Sequence, residues 1–331
     1  MSGLVTSLLA IAAAALLSAG IIPAIMPLLQ RYALARPNAR SSHRIPTPQG
    51  AGIAVISATL AVAGTCAVVL GLSAPVALFG ATIFIALVGM ADDIRSIPVL
   101  PRLLLQAAAV GAILYFAPTE LRIIPACPLW IERAFLLVAG LWFVNLVNFM
   151  DGLDLITVAE VVPVAAAMVL LGWSGAYPQG PTLVAAALCG AMLGFAPFNR
   201  PVARVFLGDV GSLPIGLSLG WCLLQLAWHQ QLAAAPLLPL YYLADATITL
   251  FRRIARREPF WAAHRSHFYQ RATDNGFTVS RVVGEVFVLN LVLALLALIS
   301  TGNDGAGYGL ALLAIGAAAV ALLLYRFSRK P

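Results

Sequence analysis

Four stretches of this chain, residues 1–30, 45–91, 161–199 and 210–244, contain no Asp, Glu, Lys or Arg. A helix crossing a bilayer needs roughly 20 apolar residues, and runs of this length exceed what a soluble core requires. Only 10% of the residues are charged and 61% are apolar, where a soluble domain carries about a quarter charged residues. A soluble enzyme, a disordered chain and a disulfide-stapled secreted domain are thereby excluded. The four cysteines, Cys66, Cys127, Cys189 and Cys222, form no CxxC pair and read as small core residues.

Turn-rich breaks and charged breaks alternate along the chain. They predict eleven spans at residues 4–29, 50–70, 75–91, 102–117, 131–148, 156–172, 181–197, 211–228, 232–251, 281–300 and 307–325. The expected fold is an all-α polytopic membrane helix bundle in one domain, residues 1–331, with motif loops at 31–49, 92–101, 148–155, 198–210 and 252–280. The first span lacks a positive segment before it, so it reads as a span and not as a cleaved signal peptide. Eighteen of the 20 Lys and Arg fall on the side of the motif loops, and only Arg122 and Arg133 on the other. By the positive-inside rule the motif loops and the C-terminus are cytoplasmic and the N-terminus is outside. The net charge of +7 is therefore a topology signal and implies no nucleic-acid partner. Part of residues 251–281, with seven arginines, reads as an amphipathic surface facing anionic membrane lipid.

The acidic residues cluster at cytoplasmic span ends, where carboxylates are costly unless they hold a cation or a partner. Asp92 and Asp93 are adjacent, so on a helix they point about 100° apart toward different partners. Read blandly, they are a solvated pair neutralised by Arg95. Asn145, Asn148, Asp151 and Asp154 recur every three residues, a spacing that would line one face of a helical turn. The run Phe206-Leu207-Gly208-Asp209-Val210-Gly211-Ser212 opens a span, with Pro214 expected in its first turn. Glycines at a helix N-terminus would expose N–H groups to an anion, and Asp209 beside them could carry a bridging metal. His43-Arg44-Ile45-Pro46-Thr47-Pro48-Gln49-Gly50 is a proline-stiffened entry to span two. Asp245, seven residues before Arg252, is expected to face the bundle interior. Carboxylates for a metal, together with arginine, histidine and helix ends for phosphates, point to phosphoryl transfer at a membrane surface.

In this order and spacing, Pro46-Thr47-Pro48, Asp92-Asp93, Asn148-x-x-Asp151-Gly152, Phe206-x-Gly208-Asp209-x-Gly211-Ser212 and His264-Arg265-Ser266-His267 resemble the polyprenyl-phosphate N-acetylhexosamine-1-phosphate transferase superfamily. The resemblance implies a Mg²⁺-dependent enzyme, with Mn²⁺ as a substitute, in a bacterial inner membrane. Its reaction would move an N-acetyl amino sugar 1-phosphate from a UDP-sugar to undecaprenyl phosphate and release UMP. It implies Asp209, Asp92 and Asp93 around the metal, and Asp92, Asp93, Asp209 and His264 as catalytic. Arg44, Thr47, Asn148, Asp151, Asp154, Asn199, Phe206, Arg265 and His267 would contact substrate, with Phe206 stacking on uracil and His264, Arg265 and His267 facing the diphosphate. The last motif lacks the run of histidines found in the muramoyl-pentapeptide enzymes and is similar to the O-antigen-initiating branch. A homodimer stays open. The rival class is a transporter, which usually keeps its ionisable residues near the bilayer midplane at repeat interfaces; no repeat is visible here.

Cysteine labelling of detergent-free membrane vesicles checks the topology: residue 275 should react from the cytoplasmic side and residue 303 from the outside. Both on one face would overturn the arrangement.

Overall fold

The computed structural model describes residues 3–35, 46–259, 264–302 and 306–331. Arg44, expected to contact substrate, lies outside the described residues, as do His43 and Trp261.

The chain is an all-α polytopic membrane bundle. Its helices are α1 (Gly3–Tyr32), α2 (Gly52–Val69), α3 (Val76–Ile94), α4 (Val99–Tyr115), α5 (Leu129–Met150), α6 (Ile156–Trp173), α7 (Gln179–Phe195), α8 (Asp209–Trp228), α9 (Ala234–Leu237), α10 (Leu240–Ala255), α11 (Phe268–Asp274), α12 (Val279–Ser300) and α13 (Ala306–Phe327). In a bilayer every backbone N–H and C=O must be satisfied within the segment, which leaves the helix as the solution for each apolar run. Prolines set several boundaries: Pro75, Pro98, Pro128, Pro178 and Pro239 stand immediately before α3, α4, α5, α7 and α10, where a missing N–H costs nothing.

Among the described residues nine helices are long and apolar enough to cross a membrane. The other two expected spans are shorter. Helix α4 has 17 residues, and the ninth expected span is split into α9 and α10, of 4 and 16 residues. Pro239 divides that run because it cannot donate the hydrogen bond that would continue the helix. The only strands among the described residues are β1 (Leu34–Ala35) and β2 (Thr47–Pro48), a two-residue antiparallel pair beside α1.

The burial of the spans sorts them into layers. Helices α6, α7 and α8 are the centre, with 72% of their most apolar windows buried, against 22% for α1 and α13 at the periphery. Helix α8 packs against α2, α3 and α5, so three elements that carry polar motifs meet on one helix. One close crossing is α2 on α8. A Cβ on Gly52 would fall 2.1 Å from the Gly211 Cα, and both partners there are backbone. The backbones touch because neither residue has a side chain, the usual device for tight helix contacts in membranes. The approach is tied down by strand-like pairing at the end of α2. Gly50 and Ala51 N–H both donate to the Phe206 carbonyl and Gly52 N–H donates to Leu207, each at 3.0 Å.

Gly52→Ala should force α2 and α8 apart, an overpacking cost of about 1–3 kcal/mol. The expected outcome is a lower thermal midpoint in detergent by several degrees; an unchanged midpoint would show that the crossing is not close-packed.

Candidate active site

Four of the five polar motifs contribute residues to one cavity of ≈ 570 Å³. It is lined by residues that include Thr47, Gln49, Asp93, Asn148, Asp151, Asp154, Asn199, Phe206, Asp209, Ser212 and Gln270. Its floor is the start of α8. Gly208 sits at φ +73°, a backbone angle glycine adopts without strain, and turns the chain into the helix. The first amides of a helix lack partners within it. Here the Asp93 carboxylate takes two of them: Oδ1 accepts from Asp209 N–H at 2.9 Å and Oδ2 from Val210 N–H at 3.1 Å. Gln49 Nε2 reaches the same Oδ1 at 3.5 Å.

This changes the sequence reading of α8. The amides expected to face a phosphate already face Asp93, and those of Gly211 and Ser212 bond the Gly208 carbonyl. The helix also begins at Asp209, so Pro214 lies in its second turn and not its first.

Asp92 points elsewhere, as adjacency on a helix requires. Arg102 donates to its Oδ2 at 2.8 Å, and the Ile97 N–H donates to Oδ1. The cation is Arg102, not Arg95, because residues 95–98 fold back and bring the first turn of α4 to Asp92. On its other side Asp92 comes within hydrogen-bonding reach of the Asp209 side chain. Asn148 Nδ2 donates to both Asp209 Oδ1 and Ser212 Oγ, each at 2.8 Å, which fixes the rotamer of Asp209.

The expected metal set of Asp92, Asp93 and Asp209 is not assembled as one cluster. Among the described residues no group of three or more His, Cys, Asp or Glu is arranged around a common point. Asp93 is committed to backbone N–H groups, while Asp92 and Asp209 face each other. Two carboxylates at that separation repel unless a proton or a cation lies between them.

The residues 145, 148, 151 and 154 do not share a helical face. Helix α5 ends at Met150, and Leu155, at φ +64°, turns the chain into α6. Asn145 therefore bonds Gln106 at 2.6 Å in the buried interior, and Asn148 bonds Asp209. Asp151 accepts from the Thr157 hydroxyl, and Asp154 accepts from Ala203 N–H at 3.1 Å. Asn199 joins the two loops: its Oδ1 accepts from Leu155 N–H at 2.7 Å and its Nδ2 donates to the Val205 carbonyl at 3.0 Å. Its amide thus holds the cavity wall. Phe206 lines the cavity and pairs through its backbone with Pro48.

His264, Arg265 and His267 are not among the residues lining this cavity. Arg265 pairs with Asp274 at 3.0 Å. Burial, then the neighbouring His267 and Arg253, push the His264 pKa down to about 4, so at neutral pH its ring is uncharged. Its Nδ1 meets the Ser266 hydroxyl at 2.8 Å. What reaches the cavity from this segment is Gln270. Spacing gave no sign of Gln270 or of Arg102, whose roles depend on contacts between distant loops.

Comparison with known proteins bears on this same region. Residues 75–227 match glycosyl transferase family 4. That stretch contains Asp92, Asp93, Asn148, Asp151, Asp154, Asn199, Phe206 and Asp209, and ends before the 264–270 segment. The chain is also similar to the phospho-N-acetylmuramoyl-pentapeptide-transferase of Limosilactobacillus fermentum, 37% identical over 39% of this chain and 40% of that protein. The enzyme of the same name from Bartonella quintana is 28% identical over 46% and 47% of the two chains. That from Neisseria gonorrhoeae is 30% identical over 46% of each. The chain thus spans less than half the length of these relatives in each match.

Asp151 supplies a pH test. Desolvation, then the fields of Asp93 and Asp154, raise its pKa to about 6 against the pull of the Thr157 hydroxyl. A carboxyl with a raised folded pKa contributes stability that is complete below its unfolded value of about 3.9 and is lost as pH rises through about 6. Asp151→Asn should therefore raise the thermal midpoint by a few degrees at pH 7.5, with the gain vanishing near pH 4. A gain independent of pH would contradict the raised pKa.

Proposed function

We propose that this chain transfers an N-acetyl amino sugar 1-phosphate from a UDP-sugar to undecaprenyl phosphate. The products are UMP and an undecaprenyl-diphosphate-sugar, formed at the cytoplasmic face of a bacterial inner membrane. The observation that carries this reading is the single cavity at one end of a membrane bundle where Asp93, Asn148, Asp151, Asp154, Phe206 and Asp209 meet, all within the family-matched stretch.

An acceptor phosphate oxygen attacks the β-phosphorus of the donor, and the phosphoanhydride bond to UMP breaks. Positioning and charge neutralisation dominate such chemistry. Phe206 offers a ring for uracil to stack on, and Asp154 and Asn199 shape the wall around it. Asp209 and Asp92, two facing carboxylates with oxygen donors suited to a hard cation, would hold Mg²⁺ or Mn²⁺, whose chemistry there is to neutralise diphosphate charge. Asp93 instead fixes the start of α8 and so the place of Asp209. The acceptor needs no strong base, since a phosphate monoester with a second pKa of about 6 is already largely dianionic at pH 7.

The relatives are named for phospho-N-acetylmuramoyl-pentapeptide transfer. Residues 264–271 read His-Arg-Ser-His-Phe-Tyr-Gln-Arg and not consecutive histidines. That favours initiation of O-antigen or another lipopolysaccharide or surface polysaccharide, with N-acetylfucosamine, N-acetylquinovosamine, N-acetylglucosamine or N-acetylgalactosamine as the sugar.

Purified protein with undecaprenyl phosphate, Mg²⁺ and a panel of UDP-sugars, including the muramoyl-pentapeptide donor, tests the proposal. The expected result is UMP release and a lipid diphosphate with at least one amino-sugar donor. Asp209→Asn should lower kcat by about three decades, equivalent to about 4 kcal/mol of transition-state stabilisation. Absence of product with every donor, or near-parental turnover by Asp209→Asn, would overturn it, and solute uptake by proteoliposomes without product would favour a transporter.

A further inference from the structure

Asp245 has no place in the reaction just described, yet it is fully buried and gathers five donors. Its Oδ1 accepts from His267 Nδ1 at 3.1 Å, Phe268 N–H at 3.0 Å and the Thr249 hydroxyl at 3.3 Å. Its Oδ2 accepts from Tyr269 N–H at 3.2 Å and the Tyr241 hydroxyl at 3.3 Å. Three of the five belong to residues 267–269, so one side chain of α10 pins the start of α11.

The pinned segment reaches the cavity. Tyr269, itself fully buried, donates from its hydroxyl to the Phe149 carbonyl at 3.0 Å. The hydroxyl lies over Gly152, where a Cβ would fall 2.1 Å from it and 3.1 Å from Gln270 Nε2. The 149–152 turn carries Asp151, and Gln270 lines the cavity beside it. The His267 ring is stacked between His264 and Tyr269, with centroids at 4.9 and 5.7 Å, which leaves the segment little freedom to shift. Burying a carboxylate to stabilise a bundle is poor economy in free energy, because apolar replacements often do as well; such groups are best attested where they fix one arrangement among several.

We propose that Asp245 is a positioning residue for the donor-binding wall: it clamps residues 267–270 so that Tyr269 holds the 149–152 turn, and with it Asp151, in register. The part concerning the donor rests on the reading of the cavity as a nucleotide-sugar site. The clamp itself is a statement about the fold and is tested separately.

Asp245→Asn keeps one acceptor and turns an amide donor toward groups that already donate. Tyr269→Phe removes only the hydroxyl and keeps the ring, so it tests the clamp even if Asp245→Asn fails to fold. Hydrogen–deuterium exchange on the full-length protein in detergent should show faster exchange at residues 149–155 in both variants, joined in Asp245→Asn by residues 267–270, whose amides lose their carboxylate acceptor. Steady-state kinetics should show KM for the UDP-sugar raised at least five-fold in Tyr269→Phe, with kcat within two-fold of the parent. Unchanged exchange at 149–155 in Tyr269→Phe overturns the clamp. Faster exchange throughout the bundle with KM unchanged overturns it in favour of a general stabilising role. Local exchange with an unchanged KM overturns the link to the donor wall. If the parent turns over no UDP-sugar, the proposed function fails while the exchange result still decides the clamp.

Discussion

The geometry of the cavity depends on one carboxylate capping one helix. Asp93 gives both oxygens to the first two amides of α8, joining the end of α3 to the start of one of the three central spans. A carboxylate at a helix N-terminus is favoured by the helix dipole as well as by the hydrogen bonds. From that joint the other contacts follow. Asp209 is aimed toward Asp92 and Asn148, Gly208 has room only for hydrogen beside the Asp93 oxygen, and residues 50–52 pair with 206–207 across the Gly52–Gly211 crossing. Two adjacent aspartates thus divide the work. One holds the scaffold and the other, bound to Arg102, faces the carboxyl group of Asp209.

Most of the scaffold was legible in the sequence. The uncharged runs became helices because membrane burial leaves the backbone no other way to bond itself, and proline and glycine mark the ends within a few residues. The legibility failed where a local rule met a distant contact. A three-residue spacing suggested that Asn145 to Asp154 shared a face, but the helix stops at Met150 and the four side chains go to four partners. Arg95 was the nearest cation in sequence to Asp92, whereas the turn at 95–98 delivers Arg102. The amides of α8 read as open to an anion, but the first two are closed by Asp93, distant in sequence, and the next two by the Gly208 carbonyl.

The site residues divide in the same way. Residue types with strong chemical preferences, Asp93, Asp151, Asp209, Asn148 and Phe206, were visible and do meet in one cavity, whereas Asp92 is not among its lining residues. Asn199 and Asp154 were visible as polar residues near a span end, but their bonds to backbone at 155, 203 and 205 depend on how two loops dock. The histidine segment shows the limit most plainly. Its charge was inferred from residue type, and burial among other polar rings removes that charge at His264.

The fit of Tyr269 over Gly152 has a consequence for how this protein tolerates exchange of its parts. One of the two residues lies inside the family-matched stretch of residues 75–227 and the other 42 residues beyond its end. With a Cβ at 152 reaching within 2.1 Å of the Tyr269 hydroxyl, any side chain larger than hydrogen there is sterically incompatible with the tyrosine. The two sites therefore constrain each other in engineering. A chimera that imports the central stretch brings its own residue at 152 to a foreign residue at 269. The end of the family-matched stretch is in this sense not a boundary of the packing unit, which extends through the α10–α11 connection.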